Sequence, residues 1–392
     1  MNRRILIMSA SVGSGHIRSA KALADEFRRR PETEEVLYDD ALEHTNTLYK
    51  QFYSDLYKTL SESAPKFLGW WYESMNDPWK TDQVRLLLDL PNTLPLVKYI
   101  RDVKPDAIVC THFMPAGVVS HLLEKKRLKT KLYNVVTDYH FHAEWITRAF
   151  NHYFVAQEED REHMGGLGLP KTRVSVTGIP IDAAFSKPVD RKEVCKEYGL
   201  NPTKPIVLVS AGTLGLSPTA SVLKRLLDMD QDFQIIAVCG RNQKTLKEAE
   251  HLARGGKKKL IVLGYVDTMP RLMKTANILL SKPGGLTTAE ALACGLPMMI
   301  LDPVGGQEVR NADMLLENGA AVKCSELTVL QYKLGRLLDD PKHFANMAKK
   351  AAELGHPDAA ARVVDVVLND ESQARIITNR QEKVLRKKVE RG

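Results

Sequence analysis

The sequence predicts an α/β protein with two doubly wound parallel sheets. Short apolar segments alternate with helical segments in both halves of the chain, and turns rich in glycine or proline separate many of them. Strands that alternate with helices form parallel sheets, because each crossover helix returns the chain to the same end of the sheet. A third observation is that residues 41–99 interrupt this alternation, which marks them as an insert.

The first half contains six predicted strands. They are Arg4–Ser9, Val36–Tyr38, Ala107–Thr111, Lys131–Thr137, Tyr153–Ala156 and Arg173–Thr177. The helix after the first strand has an apolar side formed by Ala20, Leu23, Ala24 and Phe27. A second helix is predicted at Ala116–Lys125, so that His112 falls at a strand end.

The loop after the first strand, Ser11-Val-Gly-Ser-Gly-His16, contains Gly13 and Gly15, as part of a dinucleotide-binding fingerprint would. The third glycine position of that fingerprint is occupied by Arg18. Two acids, Asp39 and Asp40, do end the second strand, where an NAD enzyme places its acid. An NAD enzyme is therefore only a weak alternative.

His16 is predicted in the first turn of the first helix, above the carboxyl ends of the strands. Ligands bind at this edge in open α/β sheets. A neutral imidazole there can accept a proton from an alcohol at physiological pH. The alternative is a histidine that only caps the helix.

The insert is rich in aromatic residues, since nine of the chain's 26 aromatics fall between residues 49 and 79. They are Tyr49, Phe52, Tyr53, Tyr57, Phe67, Trp70, Trp71, Tyr72 and Trp79. Tryptophan and tyrosine favour the membrane–water interface. Six basic and six acidic residues balance each other from 49 to 99, so a partly inserted loop or groove is predicted rather than an electrostatic anchor. The alternative is an aromatic helical subdomain packed on the first domain.

The segment Thr137-Asp-Tyr-His-Phe-His-Ala-Glu-Trp145 brings an acid and two histidines close together at a strand end. Asp138 falls at this strand end, on the same edge of the sheet as His16. A zinc site formed by these residues is a weak alternative, because no distant ligand completes the pattern.

Residues 178–190 carry two prolines and little periodicity, as a linker between domains would. A second series of strands follows at Ile206–Ser210, Gln234–Val238, Leu260–Leu263, Asn277–Ser281, Met298–Leu301 and Ala321–Lys323. The loops after the first three of these strands have residue types that bind nucleotides. Ala211–Gly215 can cradle a diphosphate, Arg241 can neutralise it, and the backbone of Gly264–Met269 can contact a uracil edge. Each of these loops, taken alone, is equally an ordinary connection.

The stretch from Asn277 to Pro303 is the centre of the predicted second domain. Gly284 and Gly285 permit a sharp turn and close approach of a ligand, and Thr287 and Thr288 are predicted to cap the next helix. The N-terminus of that helix is a ready anion site, and Glu290 can accept two hydrogen bonds from a ribose. The alternative is an ordinary strand–helix–strand unit.

Composition is that of a soluble globular protein of two domains: 392 residues, 44% apolar and 27% charged. The N-terminal apolar run is too short for a signal peptide, and no apolar run is long enough to span a bilayer. Five scattered cysteines form no CxxC pair, which favours a reducing compartment and argues against a zinc site or a disulfide framework. The net charge is +8, of which residues 375–392 supply +5, and such basic segments meet nucleic acid or anionic membranes when they are not simply solvated.

Lys282-Pro-Gly-Gly-Leu-Thr-Thr-Ala-Glu290, then Gly295-Leu-Pro297, then Gly306-Gln-Glu308 with Asn311, resemble the donor site of the MurG-like glycosyltransferases. The nearest branch is that of monogalactosyldiacylglycerol synthases and processive diacylglycerol glucosyltransferases. Further matches are the loop 9–20, the segment 137–145 and residues 176–182. The resemblance covers nearly the whole chain. It implies a GT-B architecture, in which two Rossmann-like domains face each other across a cleft.

The domains expected from this resemblance are 1–178 for the acceptor, with the insert 41–99, and 205–356 for the UDP-sugar. A linker at 179–204 joins them, and helices in 357–392 are expected to return to the first domain with a basic tail. The expected reaction is inverting transfer of galactose or glucose from a UDP-hexose to diacylglycerol at an anionic membrane surface. The protein is expected on the cytoplasmic face of the membrane as a peripheral enzyme, with neither a metal nor another cofactor and without nucleic acid.

The resemblance assigns each candidate residue a role. His16 is the expected base, and Asp138 is expected either to orient His16 or to bind the acceptor. Donor contacts are expected from Gly212, Thr213, Gly215, Arg241, Val266, Gly284, Gly285, Leu286, Thr287, Glu290, Gln307, Glu308 and Asn311. Acceptor or membrane contacts are expected from Gly15, Phe67, Trp70, Trp71, His142 and Trp145.

Three alternatives stay open from the sequence. The acceptor can be another lipid-linked molecule, such as a peptidoglycan precursor. An enzyme like UDP-N-acetylglucosamine 2-epimerase shares the architecture without needing a membrane. A non-catalytic module would keep Glu290 but would not need the chemistry of His16.

Overall fold

The computed structural model describes residues 3–47, 49–50, 74, 76, 91–210, 212, 218–301, 303 and 306–389. Most of the predicted aromatic insert lies outside these residues, including Phe67, Trp70 and Trp71, and so do Thr213 and Gly215. The chain divides into two compact units. The first comprises Met1–Asp182, Gly305–Gln307 and Asp358–Gly392, and the second comprises Ala183–Val304 and Glu308–Pro357.

The first unit is built on a parallel sheet with the strand order β2-β1-β3-β4-β6-β7. The strands up to residue 182 are β1 (Arg3–Ser9), β2 (Thr33–Asp40), β3 (Ala107–Cys110), β4 (Lys131–Val135), β5 (Ala149–Phe150), β6 (His152–Val155) and β7 (Val174–Val176). The helices of its described residues up to the same point are α1 (Ser14–Phe27), α2 (Leu94–Val103), α3 (Phe113–Glu124) and α4 (Glu158–Gly166).

The second unit is a parallel sheet with the strand order β10-β9-β8-β11-β12-β13. Its strands are β8 (Ile206–Ser210), β9 (Gln234–Val238), β10 (Leu260–Leu263), β11 (Ile278–Ser281), β12 (Met298–Leu301) and β13 (Ala321–Cys324). The helices of this part of the chain are α5 (Arg191–Glu197), α6 (Thr219–Leu227), α7 (Gln243–Gly255), α8 (Met269–Thr275), α9 (Gly285–Ala293), α10 (Gln307–Glu317), α11 (Leu330–Leu338) and α12 (Pro341–Leu354).

The end of the chain belongs to the first unit. It forms α13 (Ala359–Asn369), the short strand β14 (Arg375–Ile376), which pairs antiparallel with β5, and α14 (Asn379–Val389). Val363, Val364 and Val367 of α13 are fully buried in one cluster with the apolar side of α1. Helix α13 therefore completes the core on one face of the first sheet.

Burial explains why apolar strands form the centre of each unit. Every residue of β3, β8 and β11 is buried, as in parallel sheets that are covered by helices on both faces. In α1 the predicted apolar side is confirmed, because Ala20, Leu23, Ala24 and Phe27 are fully buried.

The predicted α/β fold with two doubly wound parallel sheets is confirmed, and the predicted strands match β1–β4, β6–β13 to within a few residues. Two helices differ from their predictions. Helix α3 begins at Phe113 instead of Ala116, because His112 caps it. Within the predicted linker, Arg191–Glu197 forms α5 and buries Val194 and Cys195.

The described residues include no helix that has both the length and the apolar composition needed to cross a bilayer. All five cysteines are free thiols.

Gly355 lets α9 and α12 pack closely in the second unit. A Cβ atom at this position would lie 2.4 Å from the backbone oxygen of Leu292, although the backbone there has ordinary angles (φ −75°, ψ 137°). We expect Gly355→Ala to lower the stability of the second unit by about 1–3 kcal/mol, because backbone must move to make room.

The matched control is Gly255→Ala in the same unit, where an added Cβ meets no atom within 4 Å. Thermal unfolding of both variants checks the prediction. A melting temperature of Gly355→Ala equal to that of the control would contradict it.

Candidate functional site

His16 lies where the sequence predicts it, in the first turn of α1 at the carboxyl end of β1. The helix begins at Ser14, after Gly13 in a conformation (φ 120°, ψ 150°) that side chains other than glycine's rarely permit. His16 is thus the third residue of the helix, and its side chain is half-buried.

Two neighbouring strand ends hold the His16 ring. Its Nδ1 atom lies 2.9 Å from the backbone oxygen of Thr111, after β3, and 2.7 Å from Oγ1 of Thr137, after β4. The Thr111 hydroxyl also donates a hydrogen bond of 3.0 Å to the backbone oxygen of His16. The ends of three adjacent strands therefore meet at this imidazole.

The environment of His16 keeps its ring neutral. Burial lowers the pKa of His16 from 6.5 to about 4, while the hydrogen bond with the Thr111 backbone acts in the opposite direction. At physiological pH the imidazole is therefore uncharged. In this state it can accept a proton from an alcohol.

His112 has a structural role beside this site. Its Nδ1 accepts a 3.1 Å hydrogen bond from the backbone N–H of Met114 and so caps α3. Its ring meets the ring of His16 edge-on, with centroids 4.8 Å apart. The sequence places His112 at a strand end, but its capping role depends on where α3 begins.

The segment 137–145 follows β4, and Asp138 is half-buried within it. His142 is only 2% exposed, and its Nδ1 accepts a hydrogen bond from the N–H of Glu144. Trp145 is 4% exposed and packs in a core cluster with Phe150. The predicted contact of His142 and Trp145 with a lipid acceptor stays a prediction. Among the described residues, no group of three or more His, Cys, Asp or Glu is arranged to hold a metal ion.

A buried carboxyl that sequence reasoning missed, Asp160 in the first turn of α4, fixes this segment. Its Oδ1 accepts a 2.8 Å hydrogen bond from the backbone N–H of Phe141, and its Oδ2 is buried without a hydrogen-bond partner. Burial raises the pKa of Asp160 from 3.8 to about 7. The sequence does not distinguish Asp160 from Glu158 and Glu159, since all three are acids in the first turn of the same helix.

We expect Asp160→Asn to stabilise the protein at neutral pH. Because the pKa of Asp160 is raised on folding, the folded protein favours the protonated carboxyl. The stability that comes from binding this proton is lost as pH rises from about 4 to about 7. The variant removes that loss, and its advantage over the unmodified chain should grow to about 2–4 kcal/mol across this interval.

Melting temperatures measured from pH 4 to pH 8 check this expectation. The control is Glu158→Gln, an exposed acid in the same turn, whose difference from the unmodified chain should change little by comparison. An equally flat difference for Asp160→Asn would contradict the account.

The candidate donor site in the second unit centres on the N-terminus of α9. The helix begins at Gly285 with Gly284 as its cap, and no side chain caps it. The predicted capping by Thr287 and Thr288 is therefore wrong: both lie inside the first turn, and the N–H of Thr288 already donates to the oxygen of Gly284 at 2.8 Å. The preceding N–H groups, up to that of Thr287, have no intrahelical acceptor and carry the positive end of the helix dipole.

The glycine turn before α9 is open and is supported from behind. An added Cβ at Gly284 would meet no atom within 4 Å, so the backbone is approachable there. Asn311 of α10 is fully buried, and its Nδ2 donates a 3.0 Å hydrogen bond to the backbone oxygen of Pro283. Asn311 thus braces the turn, and its predicted contact with a hexose stays a prediction.

Glu290 lies in the second turn of α9, and its side chain is 2% exposed. Leu286 in the first turn is also buried, whereas Thr287 is half-buried. A carboxylate held in such a site gains much from hydrogen bonds to ligand hydroxyls, because it is already removed from water.

Three more loops follow the strands of the second sheet. Gly212, after β8, has a positive φ of 72°, a conformation that favours glycine. After β9, the exposed Arg241 places its guanidinium 4.7 Å from the centre of the Tyr265 ring, which follows β10. Tyr265 is 53% exposed, and Val266 next to it is half-buried. The sequence predicts donor contacts for Arg241 and Val266. It does not predict that the Arg241 guanidinium stacks on the Tyr265 ring.

The second glycine loop leads into α10. Gly306 has a positive φ of 87°, and Gln307 and Glu308, both half-buried, begin the helix. Their predicted role in holding hexose hydroxyls stays a prediction.

Two family models match the chain in succession. Residues 16–181 match the model of monogalactosyldiacylglycerol (MGDG) synthase, and residues 191–354 match that of glycosyl transferases group 1. The first match begins at His16 and includes Thr111 and Thr137, and the second includes α9.

Two similar proteins match this chain over nearly its whole length. The chain is 28% identical to a processive diacylglycerol beta-glucosyltransferase of Bacillus pumilus, with 96% of this chain and 97% of that protein covered. It is 29% identical to the protein of the same name from Staphylococcus carnosus, with 90% and 89% covered.

Solved structures share the fold at low identity. MurG of Acinetobacter baumannii superposes with a TM-score of 0.62 at 17% identity, over 94% of this chain and all (100%) of that one. The complex of S. aureus MnaA with UDP superposes with a TM-score of 0.61 at 15% identity, over 94% of this chain and 96% of that one. The predicted GT-B architecture of two Rossmann-like domains is thereby confirmed.

Proposed function

Since the chain is a glycosyltransferase that joins an MGDG synthase domain to a group 1 glycosyltransferase domain, we propose that it transfers a hexose from a UDP-sugar to diacylglycerol. The free hydroxyl of diacylglycerol is the acceptor, and the product is a membrane glycolipid. The observation that carries this proposal is the neutral His16 imidazole, held at the strand ends of the domain that matches MGDG synthase.

The second unit binds the donor in this proposal. The open N–H groups at the start of α9 receive the phosphates, and Glu290 accepts hydrogen bonds from the ribose hydroxyls. Arg241, which is exposed after β9, adds a positive charge that can pair with the phosphates of the departing UDP. Val266 and the backbone around it contact the uracil edge, and Glu308 holds the hexose. Gln307, which precedes Glu308 in the chain and is grouped with the first unit, also holds the hexose in this proposal.

The chemical step is a displacement that inverts the anomeric carbon. His16 takes the proton of the acceptor hydroxyl, whose oxygen then forms the new bond to that carbon. The bond from the carbon to the phosphate oxygen breaks, and UDP leaves with the electron pair. N–H groups and Arg241 stabilise the negative charge that develops on UDP, and the proposal requires neither a metal nor another cofactor.

We place this reaction at the cytoplasmic face of a membrane, because diacylglycerol resides in the bilayer and UDP-sugars are cytoplasmic metabolites. The basic residues between 375 and 391 suit an anionic lipid surface. Association with such a surface is electrostatic in part, so it should weaken as salt rises.

Release of UDP with matched vesicles tests the proposal. The purified chain is mixed with UDP-glucose or UDP-galactose and with vesicles that contain or lack diacylglycerol. UDP release that requires diacylglycerol and one of these donors supports the proposal. Release that is independent of diacylglycerol, or epimerisation of UDP-N-acetylglucosamine in place of transfer, would overturn it.

A further inference from the structure

We infer that Thr137 is a positioning residue, which together with the Thr111 carbonyl holds His16 in the tautomer that leaves its Nε2 lone pair free. The inference deepens the proposed function, since its catalytic meaning depends on His16 acting as the base. The contacts of His16 Nδ1 with Thr111 and Thr137 are structural and can be tested without an activity assay.

The Thr111 carbonyl decides which ring nitrogen carries the proton. A carbonyl oxygen can only accept a hydrogen bond, and it lies 2.9 Å from Nδ1 of His16. An unprotonated Nδ1 would face this oxygen lone pair to lone pair. The neutral ring therefore carries its proton on Nδ1, and Nε2 is left as the acceptor.

Thr137 adds a second oxygen to the same nitrogen. Its Oγ1 lies 2.7 Å from Nδ1, and its side chain is 4% exposed at the end of β4. The proton on Nδ1 is thus shared between two oxygens that belong to adjacent strands of the sheet. Rotation of the ring would break both contacts.

The same pair of oxygens helps His16 once it has taken a proton. The imidazolium that forms is stabilised by acceptors at Nδ1, which is the part that a carboxylate takes in many histidine bases. Here a carbonyl and a hydroxyl fill those positions. Thr137, the neighbour of Asp138 in the chain, supplies one of these orienting contacts.

Replacing the hydroxyl by a methyl group isolates this contact. Thr137→Val keeps the shape of the side chain and removes Oγ1, whereas Thr137→Ser keeps the hydroxyl. The control is Thr130→Val, at the opposite end of the same strand, because Oγ1 of Thr130 is buried without a hydrogen-bond partner.

Steady-state transfer assays give the first measurement. We expect Thr137→Val to lower kcat about tenfold with an unchanged KM for the UDP-hexose, and Thr137→Ser to keep most of the rate. Thr130→Val should behave as the unmodified chain. Unchanged kcat in Thr137→Val, or a loss equal in Thr137→Ser, would overturn the inference.

Nitrogen-15 NMR of the His16 ring gives the second measurement and needs no turnover. The resonances are assigned by their loss in His16→Gln. In the unmodified chain we expect a protonated Nδ1 and an unprotonated Nε2, and in Thr137→Val a larger fraction with the proton on Nε2. A protonated Nε2 in the unmodified chain would overturn the inference even if transfer is observed, whereas the expected spectrum without transfer would contradict only the proposed function.

Discussion

His16→Gln is expected to abolish most hexose transfer while leaving UDP binding unchanged. Glutamine can still donate a hydrogen bond to the Thr111 carbonyl, but it cannot take a proton from the acceptor hydroxyl. Loss of a general base lowers a rate by about 10²–10⁴-fold. The measurements are initial transfer rates at saturating donor and UDP affinity by calorimetry.

The matched control is His44→Gln, another partly buried histidine at a strand end of the first unit, which pairs with Asp39 at 2.7 Å. This variant should transfer hexose at nearly the unmodified rate. If His16→Gln also retains that rate, His16 is not the base. If it loses UDP binding together with transfer, the assignment of the donor site to the second unit is wrong.

Glu290→Gln is expected to weaken UDP binding by about 10²–10³-fold. Hydrogen bonds between a charged acceptor and its partners contribute about 1.5–3 kcal/mol each, and the proposed site makes two with the ribose. Because Glu290 is only 2% exposed, little water is available to replace them. Calorimetric titration with UDP measures the change.

The ribose contact predicts a specific pattern with a modified ligand. 2′,3′-Dideoxy-UDP should bind the unmodified chain weakly, and Glu290→Gln should lower its affinity little further, since the hydroxyls are already absent. Glu193→Gln, an exposed acid on α5 of the same unit, serves as the control and should bind UDP normally. An equal loss of affinity for both ligands in Glu290→Gln would contradict a ribose contact.

Much of the fold can be predicted from the sequence, because the residues that form the apolar pattern of a strand or helix are the ones that are buried in the structure. The apolar run at Ile206–Ser210 is a strand that is buried throughout, as its composition requires in a parallel sheet. The spacing of Ala20, Leu23, Ala24 and Phe27 likewise marks the buried side of α1. In such elements local preference and tertiary packing favour the same structure.

The predictions that failed depend on boundaries or on packing at a distance. Thr287 and Thr288 are good capping residues, yet α9 begins at Gly285, so the capping position falls on Gly284. Helix α3 likewise begins at Phe113 instead of Ala116, because the side chain of His112 caps it. Neither outcome can be deduced from residue type alone.

In the candidate site, too, local features could be predicted from the sequence and long-range contacts could not. Glycine turns and the position of His16 are visible in the sequence, because strand ends and helix starts are local features. Thr137 lies 121 residues from His16, and Arg241 meets Tyr265 across two neighbouring strand ends. Contacts of this kind arise from strand order, which the residue pattern leaves undetermined.

The central claim is that this chain moves a hexose from UDP to diacylglycerol. The most direct measurement incubates the purified chain with radiolabelled UDP-glucose or UDP-galactose and diacylglycerol vesicles, extracts the lipids and determines the anomeric configuration of any labelled product. We expect label in the organic phase with one of these donors, on a lipid whose anomeric configuration is opposite to that of the donor. Absence of labelled lipid with both donors, or a product with the donor's configuration, would contradict it.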